Sequence, residues 1–230
     1  MKILLIIILC VLIIPIFAGV VCIFLIKKRT NLKEKNTKKE LGDEGEQKVI
    51  EILQKMNAKK YLVLNDIRLT GEGGKWKQID HIVVSSKGIF VIETKNWKGD
   101  IVGSKNEKYL EVVAKYGDDK VRKWFKNPIF QNKAHIEVLN SILSKSIKQE
   151  INYYSIIVFV NKNKIYFRND ESEYTEKKLY FKEKIFLIHL DEVLRTIYRC
   201  INNKAYKKTA KSLNIKLIEN IIHEAKTKEK

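Results

Sequence analysis

The sequence is poor in cysteine, proline and glycine, and each shortage excludes a class of protein. Its 230 residues contain 3 cysteines: Cys10 and Cys22 lie in an apolar N-terminal run, and Cys200 stands alone near the other end. This spacing excludes a disulfide framework and a cysteine-based zinc site. With 2 prolines and 10 glycines, the chain is neither collagen-like nor a low-complexity linker protein.

Acidic residues are also scarce relative to basic ones. Lysine and arginine number 45 against 27 aspartates and glutamates, which gives a formal net charge of +18 and a pI of about 9.6. Such a balance favours polyanionic partners, either nucleic acid or an anionic membrane surface. The length and the 45% hydrophobic content leave room for one globular domain plus an additional element.

The additional element is an uncharged apolar run at residues 3–26. As a helix it would extend about 36 Å, enough to span a bilayer. The alternative, a cleaved signal peptide, has a shorter apolar core that ends at a small-residue site, whereas here Ala18-Gly19 is followed by further apolar residues. We therefore predict a transmembrane anchor over residues 1–28.

Basic residues follow this run, while Lys2 alone precedes it. The positive-inside rule then predicts a single-pass protein of the cell membrane, with its N-terminus outside and its C-terminal domain in the cytoplasm. The unpaired cysteines agree with a reducing compartment. Residues 29–40 are predicted to form a basic linker, which would also suit contact with anionic lipid head groups.

Residues 78–96, QIDHIVVSSKGIFVIETKN, are two β-branched apolar runs joined near Gly88, a pattern typical of a β-hairpin. Glu93 and Lys95 are two residues apart and share a strand face. A two-residue loop that ends before Gly88 would set Asp80 opposite Glu93, and one that includes Gly88 would set it opposite Lys95. Both gather the three charges on one face, whereas a three-residue loop would separate them.

Two neighbouring carboxylates are electrostatically costly unless a cation lies between them, and such hard oxygen ligands suit Mg²⁺ or Mn²⁺. A lysine beside them would orient a water molecule or stabilise charge that grows on a phosphate. The alternative is an exposed Glu-x-Lys cross-strand pair with no function beyond the sheet.

The rest of the chain alternates helices with strands. A helix is predicted from Gly42, where acidic residues crowd the first turn, and a second from Asn127-Pro128, a cap followed by a first-turn proline. The predicted apolar face of the second helix is Phe130, Ala134, Val138, Leu139 and Ile142. Further strands are predicted at 61–65, 67–69, 101–103, 109–115, 151–160, 165–168 and 185–189, and further helices at 191–200 and 205–225. This order predicts a mixed α/β fold built on one sheet.

Several blocks in this order resemble the NERD domain, the nuclease-related domain. They are Gly45-Glu46, the IDHIVV and GIFVIETKN runs of the hairpin, Gly99, and Asn127-Pro128 with Gln131 and His135. The family is similar to the PD-(D/E)XK nuclease superfamily, so the resemblance implies a restriction-endonuclease-like central mixed sheet flanked by helices. Residues 41–160 would form this core, and residues 161–230 would add C-terminal strands and basic helices that complete the domain.

The resemblance implies a metal site. By position, Asp80 and Glu93 would be ligands of Mg²⁺ or Mn²⁺, the backbone carbonyl of Thr94 would be a further ligand, and Lys95 would orient water or stabilise charge. Ile79 stands where the superfamily has a proline, which removes no acidic ligand.

Three further residues enter through the resemblance. Glu46 would be an accessory acid that reaches in from the first helix. Gln131 and His135, four apart and therefore on one side of their helix, match a family block. Their role is either catalysis or packing and substrate positioning.

Two functions follow as expectations. One is a membrane-anchored, Mg²⁺-dependent nuclease that hydrolyses DNA or RNA at the cytoplasmic face. The other is a catalytically silent nuclease-fold module that binds nucleic acid or anionic membrane through its basic surface, to which the lysines of residues 205–225 would contribute.

Overall fold

The computed structural model describes the backbone at residues 2–71, 74, 76–168, 174–176, 179–180, 184–203 and 212–227. Within the first helix it describes side chains at residues 21, 23–30, 36–37 and from 39 onward. The chain divides into two compact units, Met1–Asp43 and Glu44–Lys230.

Helix α1 spans Lys2–Leu53 without a break. No proline or glycine occurs between Gly19 and Gly42, so nothing there interrupts the backbone hydrogen bonds. The predicted linker at 29–40 is therefore helical, and the prediction that a helix begins at Gly42 is wrong. Glu44 is consequently not in a first turn, and its carboxylate instead accepts from Lys48 at 2.6 Å, one turn on.

The predicted membrane anchor lies mostly outside the described side chains. Where side chains of the apolar run are described, the four at residues 23–26 are each more than half exposed. Among the described residues, no helix combines the length and apolarity needed to cross a membrane. The anchor over residues 1–28 stays a prediction.

The second unit contains the strands and the remaining helices. Its strands are β1 Leu62–Thr70, β2 Trp76–Ser85, β3 Gly88–Lys95, β4 Asp100–Gly103, β5 Tyr109–Tyr116, β6 Asp119–Lys126, β7 Tyr153–Phe159, β8 Ile165–Arg168, β9 Tyr174–Glu176, β10 Leu179–Tyr180 and β11 Ile185–His189. Its helices are α2 Pro128–Leu143, α3 Val193–Asn202 and α4 Ile215–Thr227.

The first sheet has the strand order β1-β2-β3-β7-β11-β10. β1, β2 and β3 are antiparallel neighbours, whereas β7 runs parallel to both β3 and β11. Six of the seven residues of β7 are buried, as its continuous apolar run predicts for a central strand covered on both faces. The mixed α/β class is therefore confirmed.

The prediction of one sheet is wrong, because a second sheet has the order β6-β5-β4-β8-β9. β4 and β8 continue the parallel pair of β3 and β7: partners are 64 residues apart both at Lys95 with Phe159 and at Ile101 with Ile165. Between these points the chain leaves the first sheet, and the side-chain amides of Asn161 and Asn163 each donate to the carbonyl of Trp97 at 2.8 Å. These bonds replace ladder contacts, so one strand pair serves two sheets.

Helix α2 begins where predicted, since Oδ1 of Asn127 accepts from the amide of Ile129 at 3.0 Å. Its buried face only partly matches the predicted one. Leu139 is buried, and Val138 and Ile142 are partly buried against the same cluster, but Phe130 is 45% exposed. The buried residues are Pro128, Ile129, Asn132, His135, Leu139 and Leu143. The helix therefore turns two polar side chains, those of Asn132 and His135, toward the first sheet.

The C-terminal helix is shorter than predicted. Residues 212–214 are not helical, and Oδ1 of Asn214 accepts from the amide of Leu217 at 3.1 Å, which caps α4. The predicted part at 205–211 lies outside the described residues. The helix predicted at 191–200 appears as α3, which starts at Val193 after a 3-10 turn whose Glu192 carboxylate accepts from the amide of His189.

Hydrophobic clusters cover both faces of the first sheet. On one face Val49 and Leu53 of α1 and Ile197 of α3 pack on the sheet, and on the other Leu139 of α2 and Ile222 of α4 do so. The charged residues at the C-terminal end of β3 therefore lie where α1 and α2 approach the sheet from opposite sides.

Candidate active site

The β2–β3 loop contains two residues, because Ser85 pairs with Gly88 and His81 with Ile92. Of the two loops that the sequence leaves open, this is the one that ends before Gly88, and its ladder runs as far as His81 and Ile92, next to Asp80 and Glu93. Gly88 is required there, since a Cβ would come within 2.6 Å of the carbonyl oxygen of Asn152. The hairpin therefore assembles the charges as a two-residue loop predicts.

The alternation of faces breaks beside Asp80. Ile79 and Ile82 are three residues apart yet belong to the same hydrophobic cluster, which regular alternation would forbid. On β1 the same break occurs at Asp66, whose φ of 47° lies in the left-handed region. Asp66 and Asp80 are thus the irregular positions of two neighbouring strands.

This irregularity brings the Asp80 carboxylate against the next strand, where its Oδ2 accepts from the backbone amide of Thr94 at 2.7 Å. Asp80 is 8% exposed. Burial raises the pKa of its carboxyl, the Thr94 amide and Lys95 act in the opposite direction, and Asp66 raises it further. Asp66 was not among the predicted site residues.

Glu93 is 1% exposed and contacts two different partners. Its Oε1 accepts from Nζ of Lys95, while its Oε2 finds no hydrogen-bond partner among the described residues. Burial first, and the Asp80 carboxylate second, raise the pKa of Glu93 to about 7, although Lys95 opposes both. Glu93 therefore carries a buried oxygen, Oε2, that no hydrogen bond from the described residues satisfies.

Lys95 connects the strand to helix α2. Its ammonium donates to Glu93 and also to Oε1 of Gln131 at 3.2 Å. These two acceptors hold the ammonium on the same side of β3 as the carboxylate of Glu93. Gln131, predicted as an accessory residue, therefore contacts the candidate site through Lys95.

His135 lies one turn further along α2, with Nδ1 3.5 Å from Oε2 of Glu93. Burial, and to a smaller extent Lys77 and Lys95, lower the pKa of His135 to about 4, so the imidazole is neutral at pH 7. Its Nδ1 makes no hydrogen bond to the described residues. Lys77, on β2, is a second cation that the sequence analysis did not include.

Asn132 fixes α2 on the sheet. Its fully buried amide donates to the carbonyl of Val91 at 2.8 Å and to Oγ of Ser155 at 2.9 Å. These bonds set the rotation of the helix and with it the positions of Gln131 and His135. No periodicity in the sequence marks Asn132, since a polar residue within a helix usually faces solvent.

Glu46 approaches from helix α1 and is close enough to Glu93 to raise the pKa of its carboxyl electrostatically. The approach depends on Gly45, whose ideal Cβ would lie 2.9 Å from Cβ of Asn96, just past the end of β3. Gly45 therefore permits the close contact between α1 and the end of β3 that brings the carboxylate of Glu46 near Glu93.

A neutral histidine supports the site from the other face of the sheet. His81 contacts Oδ1 of Asn65 at 2.8 Å through Nδ1 and Oγ1 of Thr94 at 3.1 Å through Nε2. Burial lowers the pKa of His81 to about 4. The hydroxyl of Thr94 is thus held on one side while its amide holds Asp80.

The donor set fits a divalent cation such as Mg²⁺. Among the described residues, no three histidine, cysteine, aspartate or glutamate side chains are grouped as a metal site. Mg²⁺, however, usually takes one or two carboxylates and completes its shell with water and substrate phosphate. The buried, unpartnered Oε2 of Glu93 beside Asp80 is the oxygen that such an ion would balance.

The chain also resembles known proteins in sequence. A family model described as the nuclease-related domain matches residues 41–160. An uncharacterized protein of Bacillus anthracis is 36% identical over 116 residues, which are 50% of this chain and 52% of that protein. The chain thus spans about half the length of that relative. No solved structure matches the chain.

Proposed function

Because the chain belongs to the nuclease-related domain family, we propose that it is a metal-dependent nuclease that hydrolyses phosphodiester bonds of DNA or RNA. The observation that carries the proposal is the group of Asp80, Glu93 and Lys95, in which a buried carboxylate oxygen lacks a partner. A purely structural Glu-Lys pair would be expected at the surface, where water solvates both charges. Here the fold buries a carboxylate that has one oxygen without a hydrogen-bond partner and a raised pKa, which is typical of a ligand or catalytic site.

Asp80 and Glu93 would hold Mg²⁺ or Mn²⁺, with the carbonyl of Thr94 as a further ligand. When bound, the ion supplies Lewis-acid polarisation of the phosphate and of the attacking water. The chain's own residues orient the two carboxylates: the Thr94 amide fixes one Asp80 oxygen, and Lys95 fixes one Glu93 oxygen. Each carboxylate is thereby held in one orientation.

Lys95 would also stabilise the negative charge that develops on the phosphate. Its side chain is 18% exposed, and its ammonium is already oriented by Glu93 and Gln131, so little reorganisation is needed during the reaction. His135, neutral at pH 7, would serve as a positioning residue for Glu93. Glu46 would be an accessory acid at the edge of the same group.

Residues 1–28 are proposed to anchor this domain in the cell membrane, with the domain on the cytoplasmic side. The uncharged run at 3–26 and the basic residues that follow it support this arrangement. Extraction of membranes at alkaline pH should leave the protein in the pellet, whereas release into the supernatant would contradict an integral anchor.

The nuclease assignment is tested with the full-length protein in mild detergent, supplied with Mg²⁺ or Mn²⁺ and with single- and double-stranded DNA and RNA. The wild type should cut at least one substrate, and Glu93→Gln should lower the rate by a factor of about 10² or more. The matched control is Glu137→Gln, the same substitution at an exposed position of α2. Equal activity in wild type and Glu93→Gln would overturn the assignment.

The same experiment separates the alternative function. A silent module that binds nucleic acid or anionic membrane through its basic surface would show salt-dependent binding that survives Glu93→Gln, with no cleavage in either metal. Binding to anionic vesicles but not to nucleic acid would assign the surface to the membrane.

A further inference from the structure

The β5–β6 hairpin of the second sheet presents an exposed aromatic and basic face. β6 is an edge strand, and seven of its eight residues are exposed. Trp124 of β6 is 65% exposed, and Tyr109 of β5 is 45% exposed. Two large aromatic side chains in solvent on one hairpin need a physical reason, since each could bury considerable apolar area.

Register assigns the side chains to faces. Trp124 pairs with Glu111, and Tyr109 pairs with Lys126, so these four share the outer face. A contact between Nη1 of Arg122 and Oε1 of Glu111 at 2.9 Å agrees with that assignment. Trp124 and Tyr109 are then diagonal neighbours, about 7–8 Å apart between their backbones.

The charges of the outer face are mainly positive. Its cations are Lys115, Lys120, Arg122 and Lys126, and its carboxylate is Glu111. Glu111 is already in an ion pair with Arg122. The ammonium of Lys108 lies 5.6 Å from the ring centroid of Tyr109 and adds a further cation at that end.

The inner face ties the hairpin to the candidate active site. Phe125 stacks on Trp97 with ring centroids 4.7 Å apart, and Trp97 follows Lys95 by two residues. Beyond Lys126 the chain passes through Asn127 directly into α2, which carries Gln131. The side-chain amide of Asn127 donates to the carbonyls of Ser104 and Glu107 at 3.1 and 2.8 Å, which fixes the junction between β6 and α2.

We propose that the outer face of the β5–β6 hairpin binds single-stranded nucleic acid and directs it toward the site at Asp80 and Glu93. An indole that is open to solvent stacks on an unpaired base, whose face a duplex would hide, while neighbouring lysines contact phosphates. Such stacking is tolerant of sequence because every base has a π face. This inference rests on the proposed nuclease function and specifies its substrate class.

Binding is measured by fluorescence anisotropy of labelled oligothymidylate, oligouridylate and a matched duplex, with full-length protein in detergent and EDTA to prevent cleavage. Trp124→Ala should weaken binding of the single strands roughly five- to a hundredfold. Trp124→Phe should restore most of the affinity, since a stacking face returns. The matched control is Trp76→Ala, which removes another exposed tryptophan (61%), on the first sheet, and should leave binding unchanged.

The salt dependence tests the lysines separately. Lys126→Ala should lower the slope of log K against log salt by about 0.7, the loss expected for one single-strand phosphate contact. An unchanged slope would remove Lys126 from the interface. Thermal melting of each variant checks the fold, and little change is expected because the replaced side chains are exposed.

The outcomes distinguish this inference from the nuclease proposal. If Glu93→Gln abolishes cleavage while Trp124→Ala changes neither binding nor cleavage, the binding role of the hairpin's outer face is refuted and the nuclease proposal stands. If Trp124→Ala weakens binding but the wild type cuts no substrate, the binding role stands and the nuclease proposal is refuted. If the wild type binds the duplex as tightly as the single strands, the single-strand assignment is overturned. The same holds if it binds anionic vesicles and no oligonucleotide.

Discussion

Replacing Glu93 by glutamine should stabilise the metal-free protein at neutral and alkaline pH. Burial and the neighbouring Asp80 raise the pKa of Glu93 from its ordinary value of 4.5 to about 7. A raised pKa means that the folded state holds the proton more tightly than the unfolded chain does. The free energy of unfolding therefore falls as the pH rises from 4.5 through 7, and below 4.5 this loss disappears.

The magnitude follows from the pKa change. A rise from 4.5 to about 7 corresponds to a loss of about 3 kcal/mol once Glu93 is ionised. Glu93→Gln avoids this loss because the amide is uncharged and keeps the shape of the carboxyl group. For a unit of this size, 3 kcal/mol is a rise in Tm of roughly 6–12 °C.

The assay is thermal unfolding in EDTA between about pH 5 and pH 8, where the predicted difference should be small at pH 5, grow toward pH 7 and then level off. Glu137→Gln, exposed on α2, is the matched control and should track the wild type throughout. Excess Mg²⁺ at pH 8 should then raise the Tm of the wild type but not of Glu93→Gln. Parallel curves for wild type and Glu93→Gln at every pH would refute the reasoning, since Glu93 would then cost nothing as a carboxylate.

Three further substitutions test the parts of the fold that hold the site. Asn132→Leu should lower the free energy of unfolding by about 2–4 kcal/mol in chemical denaturation, because the buried partners of its amide lose their hydrogen bonds. Gly88→Ala should cost about 1–3 kcal/mol by the same measurement, since its Cβ would lie 2.6 Å from a backbone oxygen. Gly45→Ala should lower nuclease activity while changing Tm little, since a Cβ 2.9 Å from Asn96 displaces the helix segment that carries Glu46.

Each of these has a matched control in the same chain. Asn140→Leu replaces an exposed asparagine of the same helix and should have little effect. Gly42→Ala places a Cβ where no atom lies within 4 Å, and it is the control for both glycine substitutions. Equal losses in a variant and its control would show that the contacts named here contribute nothing specific.

Much of the first sheet follows from local patterns. The hairpin around Gly88, the buried run of β7 and the cap at Asn127 depend on alternation, apolarity and a single side-chain bond, all of which are visible within a few residues. β6 escaped prediction because basic residues interrupt its apolar pattern: Lys123 lies between Val121 and Phe125 on one face, and Trp124 lies among cations on the other.

The site was predictable in composition but not in geometry. Asp80, Glu93 and Lys95 belong to one hairpin, so a short loop is enough to bring them together. Gln131 and His135 reach them only because Asn132 bonds to Val91, 41 residues earlier in the chain. Helical spacing gives the relative positions of Gln131, Asn132 and His135 on α2, yet it does not say which face of the helix meets the sheet.

The sequence by itself determined the class of fold, the family and the charged residues of the hairpin, since these depend on short-range periodicity and on motifs in order. Tertiary structure alone decided the face change at Asp66 and Asp80, the division into two sheets beyond Trp97, and the rotation of α2. Each of these is an energetic compromise between segments distant in sequence, where burial and hydrogen bonding outweigh local preference. The buried Glu93 carboxylate, with its unpartnered Oε2, is the product of that compromise, and on it the proposed chemistry depends.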